Sequence, residues 1–434
     1  MTGDTQIHHR TRKDITMEKI KKIWDKLSYE AIIFVALMLS LLMTRATELQ
    51  GWSSAWSAMD YSMGSGSRLL IGSIYRLFYG DFLDYTVAYK YTMAGIALTI
   101  AVLSIVLGRM IRMSIAARPD LKHAVFGTVA AYVAAPFSIA YVWNWQNLGR
   151  FDGYMLLVGL LALLAGLLIR NVYVKFLVIT VLGVIGLAIH QGFAFLYYPM
   201  VLIILCHDSF EGNRVHVKTL IAAFISGIIE VGVAVYFQFF SSINFDSAAD
   251  LAAAITSHTN VPVAEWALEI EYFGGLSYQL ENITPAFFRD EAPWLHGLVI
   301  VLLLAPILLL YLLVWKDVFV HQRSSRVKVL QSPYLYVALS QLCFVPMFLI
   351  HTDWGRHFAP LFAMPTFIFL YFLAKKDESM LYAYDKMKLR IQAHPWYFIL
   401  TLVWIATFES FGARNPFQDD AQMLYNFLKY GFFQ

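Results

Sequence analysis

The chain has 434 residues, of which 59% are hydrophobic, 16% aromatic and only 15% charged, with a formal net charge of +3. This is a membrane composition, too apolar and too poor in charge for an ordinary soluble domain. No extended basic stripe is present, so nucleic acid is not expected as a partner.

The first 29 residues are polar and basic ("HHRTRK", "KIKK") and run into a long apolar segment without a small-residue cleavage site. They read as the cytoplasmic start of an uncleaved first helix rather than as a signal peptide. A span needs about 20 apolar residues. Eleven stretches qualify or nearly do, near 30–47, 91–111, 124–143, 154–170, 172–189, 192–206, 219–240, 294–315, 332–350, 358–374 and 395–411. The expected fold is therefore an all-α polytopic membrane protein with about eleven transmembrane helices. It divides into a basic N-terminal segment (1–29), a helical domain (30–411) with outer loops 48–90 and 242–293, and an outer C-terminal segment (412–434). Cys206 and Cys343 fall at a helix end and inside a helix, which suggests neither a disulfide framework nor a thiol-ligated metal.

Charge orients the helices. With the N-terminus inside, the inner segments 1–29, 108–123, 170–175, 207–218, 316–328 and 375–390 hold 24 of the 33 Lys and Arg, as the positive-inside rule requires. Shifting the frame by one helix inverts the pattern, so the C-terminus is expected outside the cell membrane. The outer cations work against the rule and ask for a specific task. Three of them stand beside acids or amides in "NWQNLGRFDGY", "FFRDEAPW" and "DWGRH".

In chain order, the first outer loop contains "MDYSMGSGSRLLIGSIYRLFYGDFLDY". After its "GSGS" entry, Leu70, Ile71, Ile74, Leu77 and Phe78 recur at helical spacing, which predicts an interfacial amphipathic helix over 67–80. Arg68 and Arg76, about two turns apart, should share its wetter flank, able to hold phosphate or simply to snorkel towards lipid headgroups. The turn at 143–154 offers Trp145, Asn147, Arg150 and Asp152, a mixture of aromatic faces and polar groups suited to sugars. Its tryptophans also fit an interfacial aromatic belt. "AIHQGF" places His190 and Gln191 at the top of a tight helical hairpin, and "HTDWGRH" adds Asp353, Arg356 and His357 between two apolar runs. Glu230 lies within an apolar span, where an ionisable group is expensive and points either to a proton or ion pathway or to a hydrogen-bonded structural carboxyl. No P-loop, HExxH, GxSxG or CxxC spacing occurs in a plausible context.

The layout resembles polytopic glycosyltransferases of the GT-C type and the EpsG-like and Wzy-type polysaccharide polymerases. "MDY" followed by the amphipathic segment is similar to their acidic first outer loop, and "DWGRH" to their late arginine-bearing outer turn. The resemblance implies a polyprenyl-phosphate-linked saccharide donor, a saccharide or lipid acceptor, and sugar transfer at the outer face for cell-surface glycan assembly. Fixed guanidinium groups would stabilise the phosphate leaving group, with Arg68, Arg150 and Arg356 as the leading candidates. Arg76, Trp145, Asn147, Asp152, Gln191 and His357 complete the expected substrate-binding set. Asp60 is the first choice of base for the acceptor hydroxyl and His190 the second, with Asp353 orienting Arg356 or His357. No cofactor is required by the motifs. A divalent metal stays open, but the loop carries a lone Asp60 rather than an adjacent acidic pair, which argues against a metal-assisted mechanism. Two other readings stay open: a transporter or flippase of a lipid-linked saccharide using Glu230, and a membrane O-acyltransferase using an outer histidine.

Overall fold

The structure is a computed structural model that describes residues 27–39, 41–42, 48–134, 148–210, 214–274, 291–325, 328–345 and 354–410, with side chains except at 291–304, 354–356, 358 and 405–410. Within these residues the chain is helical and has no extended strand. In chain order the helices are α1 (Leu27–Leu39), α2 (Gly51–Ser54), α3 (Leu69–Tyr79), α4 (Tyr85–Ala117), α5 (Lys122–Ala134), α6 (Asp152–Leu168), α7 (Val172–Ile189), α8 (Phe193–Leu196), α9 (Tyr198–Ser209), α10 (Val217–Phe239), α11 (Ala248–Thr256), α12 (Glu265–Leu268), α13 (Glu291–Ser324), α14 (Pro333–Ser340), α15 (Trp354–Ala374), α16 (Glu378–Ala393) and α17 (Pro395–Ser410).

Side-chain caps start several of them by occupying backbone N–H groups that lack a partner within the helix. Asp84 accepts from Thr86 N at 2.8 Å to open α4, Asn171 from Tyr173 N at 3.0 Å to open α7, and Asp377 from Met380 N at 2.9 Å to open α16. Helices α4, α7, α10 and the Ala305–Ser324 part of α13 are long and apolar enough to cross a membrane. The expected spans at 30–47, 154–170, 192–206, 358–374 and 395–411 fall on the shorter helices α1, α6, α8 with α9, α15 and α17. Those at 124–143 and 332–350 begin as α5 and α14 and then leave the described residues.

Helix α15 is the central column and packs against α4, α5 and α9. From Phe367 to Phe372 none of its residues is more than 1% exposed. Helix α10 is its opposite: it lies against α7 and α9 at the edge, and its buried residues are Thr219, Ser226 and Glu230 while Phe224, Ile228 and Val231 are exposed. Polar residues turned inwards and apolar residues outwards is the arrangement that hydrocarbon demands.

Two expectations change. The outer loop 242–293 is partly folded, as α11, α12 and a π-helical turn over Glu269–Gly274, with 275–290 outside the described residues. Helix α3 forms, but its apolar residues divide between two faces: Leu69, Ile71, Gly72 and Tyr75 are buried, whereas Ile74, Leu77 and Phe78 are exposed. Arg68 is not on the helix at all; it is the residue before it, in a left-handed conformation. The two arginines therefore do not share a flank.

Candidate functional site

Segments 48–85 and 240–274 close over one end of the bundle and form a cap. Ser65 N donates to Ser242 O and Asn244 N to Met63 O, each at 2.8 Å, and Leu83 N donates to His258 O at 2.8 Å. The crossing is tight, since a Cβ on Gly64 would collide with the Ser242 carbonyl, and within the first segment a Cβ on Gly72 would collide with the Met59 carbonyl. His258 clasps the two segments together. Its Nε2 lies 2.8 Å from Ala58 O and its Nδ1 2.8 Å from Ala254 O, so both ring nitrogens face acceptors.

Arg68 lies at the centre of this cap. The Gly- and Ser-rich turn before α3 delivers it at φ 73°, a conformation that costs a non-glycine residue roughly 1–2 kcal/mol. Such strain persists where the surroundings over-determine it. Here they do. Arg68 N donates to Ala188 O at 3.1 Å, its Nη2 lies 2.6 Å from Glu271, and its guanidinium carbon stands 4.5 Å over the Trp56 ring. The neighbouring Ser67 hydroxyl donates to Gln191 Oε1. Since Ala188 and Gln191 flank His190, the strained turn is docked on the histidine hairpin. His190 is 8% exposed, and its Nδ1 accepts from Gly192 N at 2.8 Å. With that lone pair engaged, the neutral ring carries its proton on Nε2, and that edge of His190 is a donor rather than a base.

Asp60 has a different assignment. It caps a short turn by accepting from Ser62 N at 2.7 Å and pairs with Arg76. Burial pulls its pKa up, but the hydrogen bonds from Ser62 and the Arg76 guanidinium outweigh that effect and hold the carboxyl below its ordinary value of 3.8. An acid so held is a weak base, and its two oxygens are already engaged. Arg76 is half-exposed.

Arg150 and Asp152 approach from the third side. Ser53 Oγ donates to Leu148 O at 2.9 Å, and Phe151 packs on Trp56 with ring centroids 6.0 Å apart. Asp152 is 3% exposed in the first turn of α6. His357 is wholly buried within α15. Trp145, Asn147 and Asp353 lie outside the described residues, and Arg356 is described only as backbone in the first turn of α15. The structure thus brings the Ser67–Arg68 turn onto Ala188 and Gln191, on either side of His190, ties Asp60 to Arg76 of α3, and sets Phe151, between Arg150 and Asp152, against Trp56.

Three members of the cluster are new: Ser67, Trp56 and Glu271. Nothing local marks Glu271, which is 203 residues from its partner; only the cap fold brings it there. Among the described residues no group of three or more His, Cys, Asp or Glu side chains could hold a metal ion. No family model, characterised protein or solved structure matches this chain.

Proposed function

We propose that the protein is a membrane-embedded glycosyltransferase or polysaccharide polymerase that takes sugar from a polyprenyl-phosphate-linked donor and passes it to a saccharide or lipid acceptor at the cap face. In this reading all eleven apolar stretches cross the cell membrane, the basic N-terminus is cytoplasmic, and the cap and C-terminus face outwards. The exposed Ile74, Leu77 and Phe78 side of α3 rests in the interface, close to the donor's lipid.

The observation that carries the proposal is Arg68, buried and strained, stacked on Trp56, paired with Glu271 and docked beside His190. A guanidinium binds phosphate oxygens through two parallel N–H bonds, and an indole face suits a sugar ring. A donor phosphate entering here competes with Glu271 for Arg68. The displaced carboxylate then takes the acceptor hydroxyl's proton as the acceptor oxygen attacks the anomeric carbon. The bond from that carbon to the phosphate oxygen breaks, and its electron pair leaves with the phosphate. Arg68 and the His190 Nε2–H stabilise the leaving charge. Glu271 thereby replaces Asp60 as the first choice of base, and Asp60 positions Arg76 and the turn.

The test is incubation of the purified protein in nanodiscs with native lipid-linked saccharides, followed by mass spectrometry. Acceptor mass gain with release of polyprenyl phosphate or pyrophosphate is expected in the native protein, and a ladder of products identifies a polymerase. Arg68→Lys, which keeps the charge but loses the fork, should lower the rate on the order of 10²–10³-fold. An undiminished rate in Arg68→Lys and Glu271→Gln sinks the mechanism. Transport of the same saccharide is the second reading, favoured by the buried Glu230. It predicts saccharide crossing a vesicle bilayer without bond formation.

A further inference from the structure

Glu230 lies thirteen residues after the start of α10 and nine before its end, roughly 20 and 14 Å from the two ends at 1.5 Å per residue. It is 3% exposed and turned into the seam between α10, α7 and α9. Gly183 of α7 leaves the niche for it, since a Cβ there would collide with Glu230 Oε1. Ser226 Oγ donates to Oε1 at 3.3 Å, and Thr180 Oγ1 lies 2.8 Å behind it, its one proton shared between Ser226 Oγ and the Phe176 carbonyl at 2.8 Å. The Tyr198 phenol of α9 stands beside the carboxyl, but Oε2 has no hydrogen-bond partner among the described residues.

Among the described residues, the charges that could neutralise this group are committed elsewhere. From α7, Lys175 is paired with Asp208 of α9. His207 of α9 is hydrogen-bonded to that same Asp208 at 3.1 Å. Lys218 is exposed at the start of α10, twelve residues from Glu230. Among the described residues, the titratable groups set around Tyr198 and Glu230 are the thiols of Cys206 and Cys343, and neither they nor the phenol carry positive charge. A carboxylate in an apolar seam without a cation is far costlier than a carboxylic acid with one open position. The hydroxyls of Ser226, Thr180 and Tyr198 are the groups that bind and relay a proton.

We infer that Glu230 is a proton-binding site inside the helix bundle, with Ser226 and Thr180 as its hydrogen-bonded access line. The site is independent of whether the cap transfers sugar or docks it. It makes the protein sensitive to proton occupancy at a position buried from both ends of α10.

The experiment is infrared difference spectroscopy of the full chain in lipid nanodiscs at neutral pH, native protein against Glu230→Gln, in H₂O and D₂O. The expected result is a protonated-carboxyl C=O band in the native protein that shifts on deuteration and is lost in the variant. A carboxylate band lost in its place overturns the proposal. Should Glu230→Gln fail to fold, a hydrophobic carbodiimide applied to the native protein provides the second measurement. The acid O–H adds across one C=N bond, and the adduct rearranges to a stable N-acylurea without losing atoms. Peptide mass spectrometry should find it on Glu230, with labelling falling as pH rises; an unlabelled Glu230 overturns the site. Protection by added sodium at constant pH also overturns it, because the niche would then be built for a metal cation.

Discussion

Two charge networks at opposite ends of the bundle are held in different ways. At the end away from the cap, Arg118 bridges Asp120 and Asp385, and Lys388 joins Asp120 at 2.8 Å, with side chains 27–42% exposed. These pairs are wet, shared and replaceable. At the cap, Arg68 and Glu271 are 8% and 20% exposed and have one geometry, imposed by Trp56 below and by the Ala188 carbonyl on the backbone. Exposed pairs are weak because water and side-chain entropy compete with them, whereas a buried charge stripped of its partner is strongly destabilising. The difference separates charge that water can replace from charge that its surroundings hold in one place.

Four substitutions probe that contrast. Arg68→Ala leaves Glu271 without its cation in a covered site and should cost about 3–5 kcal/mol, read as a lowered unfolding midpoint in mixed micelles together with loss of transfer activity. A loss no greater than that of an exposed pair would erase the distinction between the two networks. Gly72→Ala drives a methyl group into the Met59 carbonyl; overpacking of this kind costs about 1–3 kcal/mol, and hydrogen exchange should report loosening at 56–63 while α15 stays protected.

Asp60→Asn removes a charged hydrogen-bond acceptor and should cost about 1.5–3 kcal/mol. Because the folded carboxyl titrates below its ordinary value of 3.8, its contribution is complete above the unfolded value of about 4 and fades as pH falls through the lower folded value. Acid titration of cap stability should therefore flatten in Asp60→Asn, and an unchanged profile would remove Asp60 from the cap's pH response. At the far end, Arg118→Ala should cost only about 0.2–1 kcal/mol, a small shift that shrinks further in high salt. A cost matching that of Arg68→Ala would show that this network is structural as well.

Much of the helical framework was legible in the residues. Long apolar runs such as those of α4, α7 and α10 have one stable form in hydrocarbon, because each backbone N–H and C=O must find its partner within the segment. Glu230 was legible for the same reason, as the costly exception in an apolar helix. The cap was less so. Arg68 and Arg76, eight residues apart, suggested a single flank, but the left-handed backbone at Arg68 takes it off the helix. Asp60, marked as a base, is held by Arg76 and its own turn. The place of His190 in the hairpin was legible, yet only the Gly192 N–H on Nδ1 reveals which ring nitrogen accepts.

Composition and hydropathy by themselves determined an all-helical membrane protein with charge segregated along its chain, since both follow from the local cost of placing each side chain and each peptide group in lipid. Tertiary structure alone decided which charges meet. Arg68 and Glu271 are paired by the crossing of 48–85 with 240–274, and Glu230 is housed by a glycine on another helix. Such contacts join residues far apart in the chain, and their energies depend on burial and direction, neither of which is a property of any short stretch of sequence.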